Sequence, residues 1–96
     1  MHLGSYRFEG DPDQLVPAYD RLLEGMPKGQ ISLHVCVVDN DGITIYDTCP
    51  TEEVFREWIA APALAEAFAA AGLPEPTITG SPVHAVFVSG APFPPD

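Results

Sequence analysis

The residues best suited to chemistry gather in one stretch of this 96-residue chain, LHVCVVDNDGITIYDTCP (33–50), which carries His34, Cys36, Tyr46, Asp47 and Cys49. His34 and Cys36 stand two apart, so on a strand they face the same way and could share a metal ion. A complete site needs more ligands. His84 is the one plausible addition, and no CxxC or HExxH spacing occurs, so neither a metal nor another cofactor is expected. For acid–base work the best pair is His34 with Tyr46. An imidazole that titrates near neutrality, beside a phenolic donor, suits orienting a ligand's hydroxyl or carbonyl or removing its proton. His34 and Tyr46 are therefore the candidate catalytic residues, with His84 and Cys36 as candidate ligand contacts. In mid-strand Cys36 lacks the helix N-terminus or cation that activates a thiol, and reads more simply as a small hydrophobe. Asp39-Asn40-Asp41-Gly42 departs from a calcium loop, because Val37 and Thr48 would fall at ligand positions, and reads as a turn.

A strand pair must position these side chains, with strands over 31–38 and 43–48. A three-residue loop pairs Val37 with Ile45 and gathers Leu33, Val35, Val37, Ile43 and Ile45 on one apolar face. His34, Cys36, Val38, Thr44, Tyr46 and Thr48 then share the second face. Asp47 and Cys49 turn the other way, which separates Cys36 from Cys49 and argues against a disulfide. Asp47 faces the helix layer and needs a partner there, for which Arg7 and Arg56 are the available cations.

The flanking elements follow from local signals. HLGSYRF (2–8) reads as a strand. Asp11 caps a helix that opens with Pro12 and presents Leu15, Tyr19, Leu22, Leu23 and Met26 on one face. Pro17 should bend its first turns or move its start to Asp13, and Gly25, Pro27 and Gly29 end it. Thr51 caps a second helix with Glu52 and Glu53 in its first turn and Val54, Phe55, Trp58 and Ile59 as its buried stripe. Pro62 opens a further turn carrying Leu64, Ala65, Phe68 and Ala71, and Gly72-Leu73-Pro74 stops it. Residues 77–88 supply the last strand, apolar on both faces at PVHAVFV and so expected to be covered on both. Trp58, Phe55, Phe68 and Tyr19 have core spacing, and Trp58 and Phe55 are also candidates to line a ligand pocket. The tail APFPPD (91–96) cannot be helix or central strand. It is either frayed or an arm across a neighbour.

Composition limits the partners. The net charge is −10, with 14 acids against Arg7, Arg21, Lys28 and Arg56, which disfavours nucleic acid, anionic membranes and phosphorylated substrates. A neutral or apolar small molecule is the easier ligand. No apolar run reaches membrane length, and two cysteines without a signal-peptide pattern suggest a soluble, cytoplasmic protein. A chain this short with a mean hydropathy of +0.07 gains from covering apolar surface against a second copy.

The order β-α-β-β-α-β is a ferredoxin-like split βαβ, an α+β fold with a four-stranded antiparallel sheet and helices on one face. The other face carries Val38, Tyr46, Val86 and Val88 and should also be covered. Residues 2–88, and ITIYDTCPTEEVFREW (43–58) in particular, resemble the dimeric α/β-barrel superfamily, which includes the antibiotic-biosynthesis monooxygenases and stress-responsive barrel proteins. The resemblance implies a homodimer whose sheets pack face to face into a barrel, with ligands between sheet and helices or in each subunit's cleft. Cofactor-free monooxygenases of that group use an Asn and a Trp near the substrate, and haem-using relatives a helical His. Here the only Asn is Asn40 in the turn and neither helix contains His, so no catalytic position carries over. The expectation is one domain over 1–90 with a tail at 91–96, a homodimer binding a small apolar or aromatic molecule. The alternatives are a cofactor-free oxygenase or cyclase/isomerase on an aromatic or polyketide-like substrate, with His34 as base, and a dimerisation module without a ligand.

Overall fold

The computed structural model describes residues 1–26 and 32–94. Expectations for Pro27, Gly29 and Ile31, and for the last two residues of the tail, lie outside the described residues. Strand β1 (His2–Glu9) leads into α1 (Pro12–Glu24), β2 (His34–Asp39), β3 (Gly42–Cys49), α2 (Glu52–Ala60), α3 (Pro62–Ala71) and β4 (Thr77–Pro82). Two short strands, β5 (Phe87–Val88) and β6 (Ala91–Pro92), follow. The sheet order is β2-β3-β1-β4, with every pairing antiparallel. That is the ferredoxin-like order, and the helices cover one face.

Local chemistry sets the helix boundaries. The Asp11 side chain accepts the Asp13 backbone N–H at 2.9 Å, Pro12 occupies the first turn, and the helix runs through Pro17 without a shifted start. The Thr51 hydroxyl accepts the Val54 N–H at 3.1 Å. α3 starts at Pro62 and stops at Gly72, whose φ of 91° is left-handed. Arg21 donates to the Ala71 carbonyl through both Nε (3.2 Å) and Nη2 (3.0 Å), tying α1 to the end of α3. Of the stripe expected on α2, only Phe55 is buried and Ile59 is half-buried; Val54 and Trp58 are exposed.

The hairpin register differs from expectation. Asp39 pairs with Gly42, Val38 with Ile43, Val37 with Thr44, Cys36 with Ile45, Val35 with Tyr46 and His34 with Asp47. The connection is the two residues Asn40-Asp41, and Gly42 belongs to the strand. A Cβ at Gly42 would lie 2.1 Å from the Phe8 carbonyl oxygen, so glycine is needed there for the close approach of β1. Matching faces by hydrophobicity failed because β2 is apolar on both sides. His34 and Cys36 join Ile43, Ile45, Asp47 and Cys49 under the helices. Val35 and Val37 join Thr44 and Tyr46 on the open face.

Across the whole sheet, Val38-Ile43-Phe8, Cys36-Ile45-Tyr6-Ile78 and His34-Asp47-Gly4-Gly80 form rows facing the helices. Phe8 and Tyr6 meet Phe68 of α3 edge-on, at ring separations of 5.1 and 6.2 Å. The Phe55 ring fills the notch over Gly4 and Gly80, where an added Cβ would come within 2.7 and 2.4 Å of it. The open face carries Leu3, Ser5, Arg7, Val35, Val37, Thr44, Tyr46, Thr48 and Thr79. Val35 and Val37 are 44% and 45% exposed. Arg7 spans this face, donating to both oxygens of Asp39 (2.6 and 3.0 Å), to Glu9 and to Thr44.

β4 ends at Pro82, not at residue 88. Proline has no N–H for the ladder, and the Val83 N–H makes one more bond, to the Met1 carbonyl, before the chain leaves the sheet. β5 and β6 then form a hairpin through Ser89 (φ 51°) and Gly90 (φ 80°), both left-handed as a tight hairpin turn requires. Phe87 on it is 67% exposed. Ala91 and Pro92 are thus strand residues and not the start of a frayed tail.

Candidate functional site

Beneath the helices the His34-Asp47-Gly4-Gly80 row brings together the chain's best-placed polar groups. His34 Nδ1 lies 2.5 Å from Asp47 Oδ1, and its Nε2 lies 2.5 Å from the Tyr19 hydroxyl of α1. With the Nδ1–H donating to the carboxylate, Nε2 of a neutral ring accepts from the Tyr19 O–H. Burial raises the Asp47 carboxyl above its ordinary range while His34 draws it back down. Burial, with Cys36, Asp47 and Asp20 nearby, pushes the Tyr19 phenol up to about 12, so it acts as a donor and not as a phenolate.

Tyr6 reaches the same place from β1. Its hydroxyl is buried and has no hydrogen-bond partner among the described residues, in a side chain only 1% exposed. Burial first, then Asp47 and Cys49, raise its pKa, while the approach of the Trp58 indole N–H, short of a formed hydrogen bond, lowers it. Tyr6, His34, Asp47 and Trp58 line an inner chamber whose remaining walls are Leu22, Met26, Ile45, Leu64 and Phe68. Its volume, about 10 Å³, is room for roughly one water molecule. Leu64 and Phe68 also line a larger groove of about 310 Å³ beside it, with Ile59, Ala65, Leu73 and Ile78. That is the lower end of the size range of small-molecule sites. Glu75 at its rim is the only titratable residue of the groove lining among the described residues.

The expected site residues are dispersed. His34 and Trp58 line the chamber. Tyr46 is on the open face, opposite Val35 and Ser5, and does not pair with His34. His84 follows β4, at the far edge of the sheet from β2, and is exposed, so it does not join His34. Phe55 is enclosed in its glycine notch. Cys36 is half-buried at the margin of the core, its thiol pKa raised by burial. Both cysteines are free. They share a face but are offset by four strand residues, about 13 Å, and that offset, not opposite orientation, keeps them apart. Asp47 is paired with His34, not with an arginine: Arg7 is held by Asp39 and Glu9, and Arg56 by Glu52 at 2.7 Å. Among the described residues no group of three or more metal-ligating side chains occurs.

Two residues of the site escaped the sequence reading. Tyr6 belongs to the inward alternation of β1, but the isolation of its hydroxyl depends on Gly4 beside it and on α2 above. Tyr19 lies in the core, as its helical spacing indicates, and its hydroxyl also holds His34.

The chain matches no family model and no curated protein. Among the solved structures that share its fold are two that are each named as a "putative antibiotic biosynthesis monooxygenase". The chain from Deinococcus radiodurans superposes with a TM-score of 0.66 at 15% identity, over 94% of this chain and 100% of its own length. The chain from Chloroflexus aurantiacus gives 0.55 at 16%, over 92% and 98%. The fold is therefore the ferredoxin-like α+β fold, with a four-stranded antiparallel sheet, that these two structures share. No helix among the described residues is long and apolar enough to cross a membrane.

Proposed function

We propose that two copies of this chain pack open face to open face as a barrel, and that each holds a small, largely apolar or aromatic molecule between the sheet and α2–α3. One observation carries the ligand: a buried, unpartnered Tyr6 hydroxyl converges with Asp47 on a chamber that adjoins an apolar groove. An orphaned buried hydroxyl costs about 1–3 kcal/mol, which an occupant that bonds to it recovers. The half-exposed valines of the open face and the projecting Phe87 support the dimer, since apolar surface of this kind marks association. Calorimetric titration with neutral one- and two-ring aromatic molecules tests the site. Binding is expected in the native chain and should be lost in Ala65→Trp, which fills the groove. Binding unaffected by that substitution would refute it.

One observation favours a second reading, acid–base catalysis on such a molecule by a cofactor-free oxygenase or a cyclase/isomerase. His34 is oriented by Asp47 at the chamber, as in the base-and-orienter arrangement that proton abstraction uses. Its Nε2 serves as the base only once a substrate takes the place of the Tyr19 hydroxyl. A His34→Gln variant that keeps ligand affinity but loses turnover supports catalysis. Turnover unchanged in that variant removes it.

A further inference from the structure

We propose that the molecule held between sheet and helices carries a primary ammonium group, seated in the inner chamber against Asp47 and Tyr6, on an apolar body lying in the groove. This rests on the ligand site proposed above and specifies the occupant's head group. Three independent features converge on it.

The first is the donor–acceptor balance of the chamber. One oxygen of Asp47 is taken by His34, and the other has no hydrogen-bond partner among the described residues. The Tyr6 oxygen likewise has none. The carboxylate oxygen only accepts and the phenol oxygen can accept as well as donate, while an ammonium offers three donors. The chamber holds about one water, and a –NH3⁺ group is close to water in size.

The second is charge. Among the described residues no lysine or arginine lines the chamber or the groove, and the one basic group there, His34, is already bonded to Asp47. Arg7 is engaged on the open face, Arg56 with Glu52, and Arg21 with the Ala71 carbonyl. The groove rim has one titratable side chain, Glu75. A chain of net charge −10 draws cations toward such a cleft and repels anions.

The third is connectivity. The two spaces share Leu64 and Phe68 as walls. These two side chains must turn aside to admit the methylene that joins the ammonium to its body. A buried carboxylate in a chamber that adjoins an apolar groove thus selects an amphiphilic amine over a neutral or anionic molecule of the same shape.

Titration calorimetry with 2-phenylethylamine, 2-phenylethanol and 3-phenylpropanoate compares the three head groups on one body. The amine is expected to bind at least tenfold more tightly than the alcohol, and the carboxylate not to bind. Asp47→Asn should erase the preference for the amine while retaining the alcohol. Glu75→Gln, an exposed change that leaves folding intact, should weaken only the amine, by two- to threefold. Equal or tighter binding of the alcohol, blocked by Ala65→Trp, overturns the ammonium and leaves the ligand site standing. Amine binding that survives Ala65→Trp is attraction to the acidic surface and overturns both.

Discussion

Asp47 experiences two opposed influences, burial that favours its neutral form and an imidazole that favours its charge, and burial prevails. Its folded-state pKa therefore exceeds the unfolded value. The associated stability is present in full below the unfolded pKa of about 3.9 and is lost as pH rises through the raised value. Asp39 behaves oppositely. Arg7 holds its carboxyl down at about 2, so its contribution exists above the unfolded pKa and disappears as pH falls toward 2. Urea unfolding of the native chain and Asp47→Asn, compared across pH, should show the variant gaining on the native protein as pH rises above about 4, and the gap levelling once Asp47 is ionised. A pH-independent gap would contradict the burial of this carboxyl. Replacing His34 by Leu leaves Asp47 without its donor and should cost about 1–3 kcal/mol near neutral pH, read from the same unfolding curves.

At the scale of elements, α2 is fixed at both ends of its contact with the sheet. Its first turn is capped by Thr51, and Phe55 is seated over Gly4 and Gly80. Thr51→Ala should cost about 1 kcal/mol. Gly80→Ala drives a Cβ into the Phe55 ring and should cost about 1–3 kcal/mol, with the loss concentrated in amide-exchange protection of α2. The helices were legible in the sequence because their signals are local: Asp11 with Pro12, Thr51 with its acids, Pro62, and Gly72 with Pro74. The hairpin register was not. Alternation fixes register only when one face is apolar, and Val35 and Val37 make the outer face of β2 as apolar as the inner one. The constraint that decides it, Gly42 against the Phe8 carbonyl, comes from a strand more than thirty residues away in sequence. The site inherited that uncertainty. Asp47 was recognised as needing a partner under the helices, but with the register displaced His34 pointed elsewhere and the arginines were the remaining choices. The end of β4 was legible in Pro82, yet the apolar run beyond it read as continued strand.

For the molecule as a whole, the proposed barrel sets two like-charged copies against each other, each at −10. Raising ionic strength should tighten their association, because screening shortens the reach of the repulsion from about 30 Å at 0.01 M to about 10 Å at 0.1 M. Sedimentation at both ionic strengths reads this directly. Val37→Asp places a charge in the middle of the open face and should shift the particle toward 10.3 kDa, while leaving the helix-covered core intact. An unchanged mass would show that this face is not the contact. The chain has a single tryptophan, and Trp58 stands in the chamber wall and is 39% exposed. The protein therefore carries its own optical gauge: filling the chamber dries that indole and moves its emission to shorter wavelength, with no label attached.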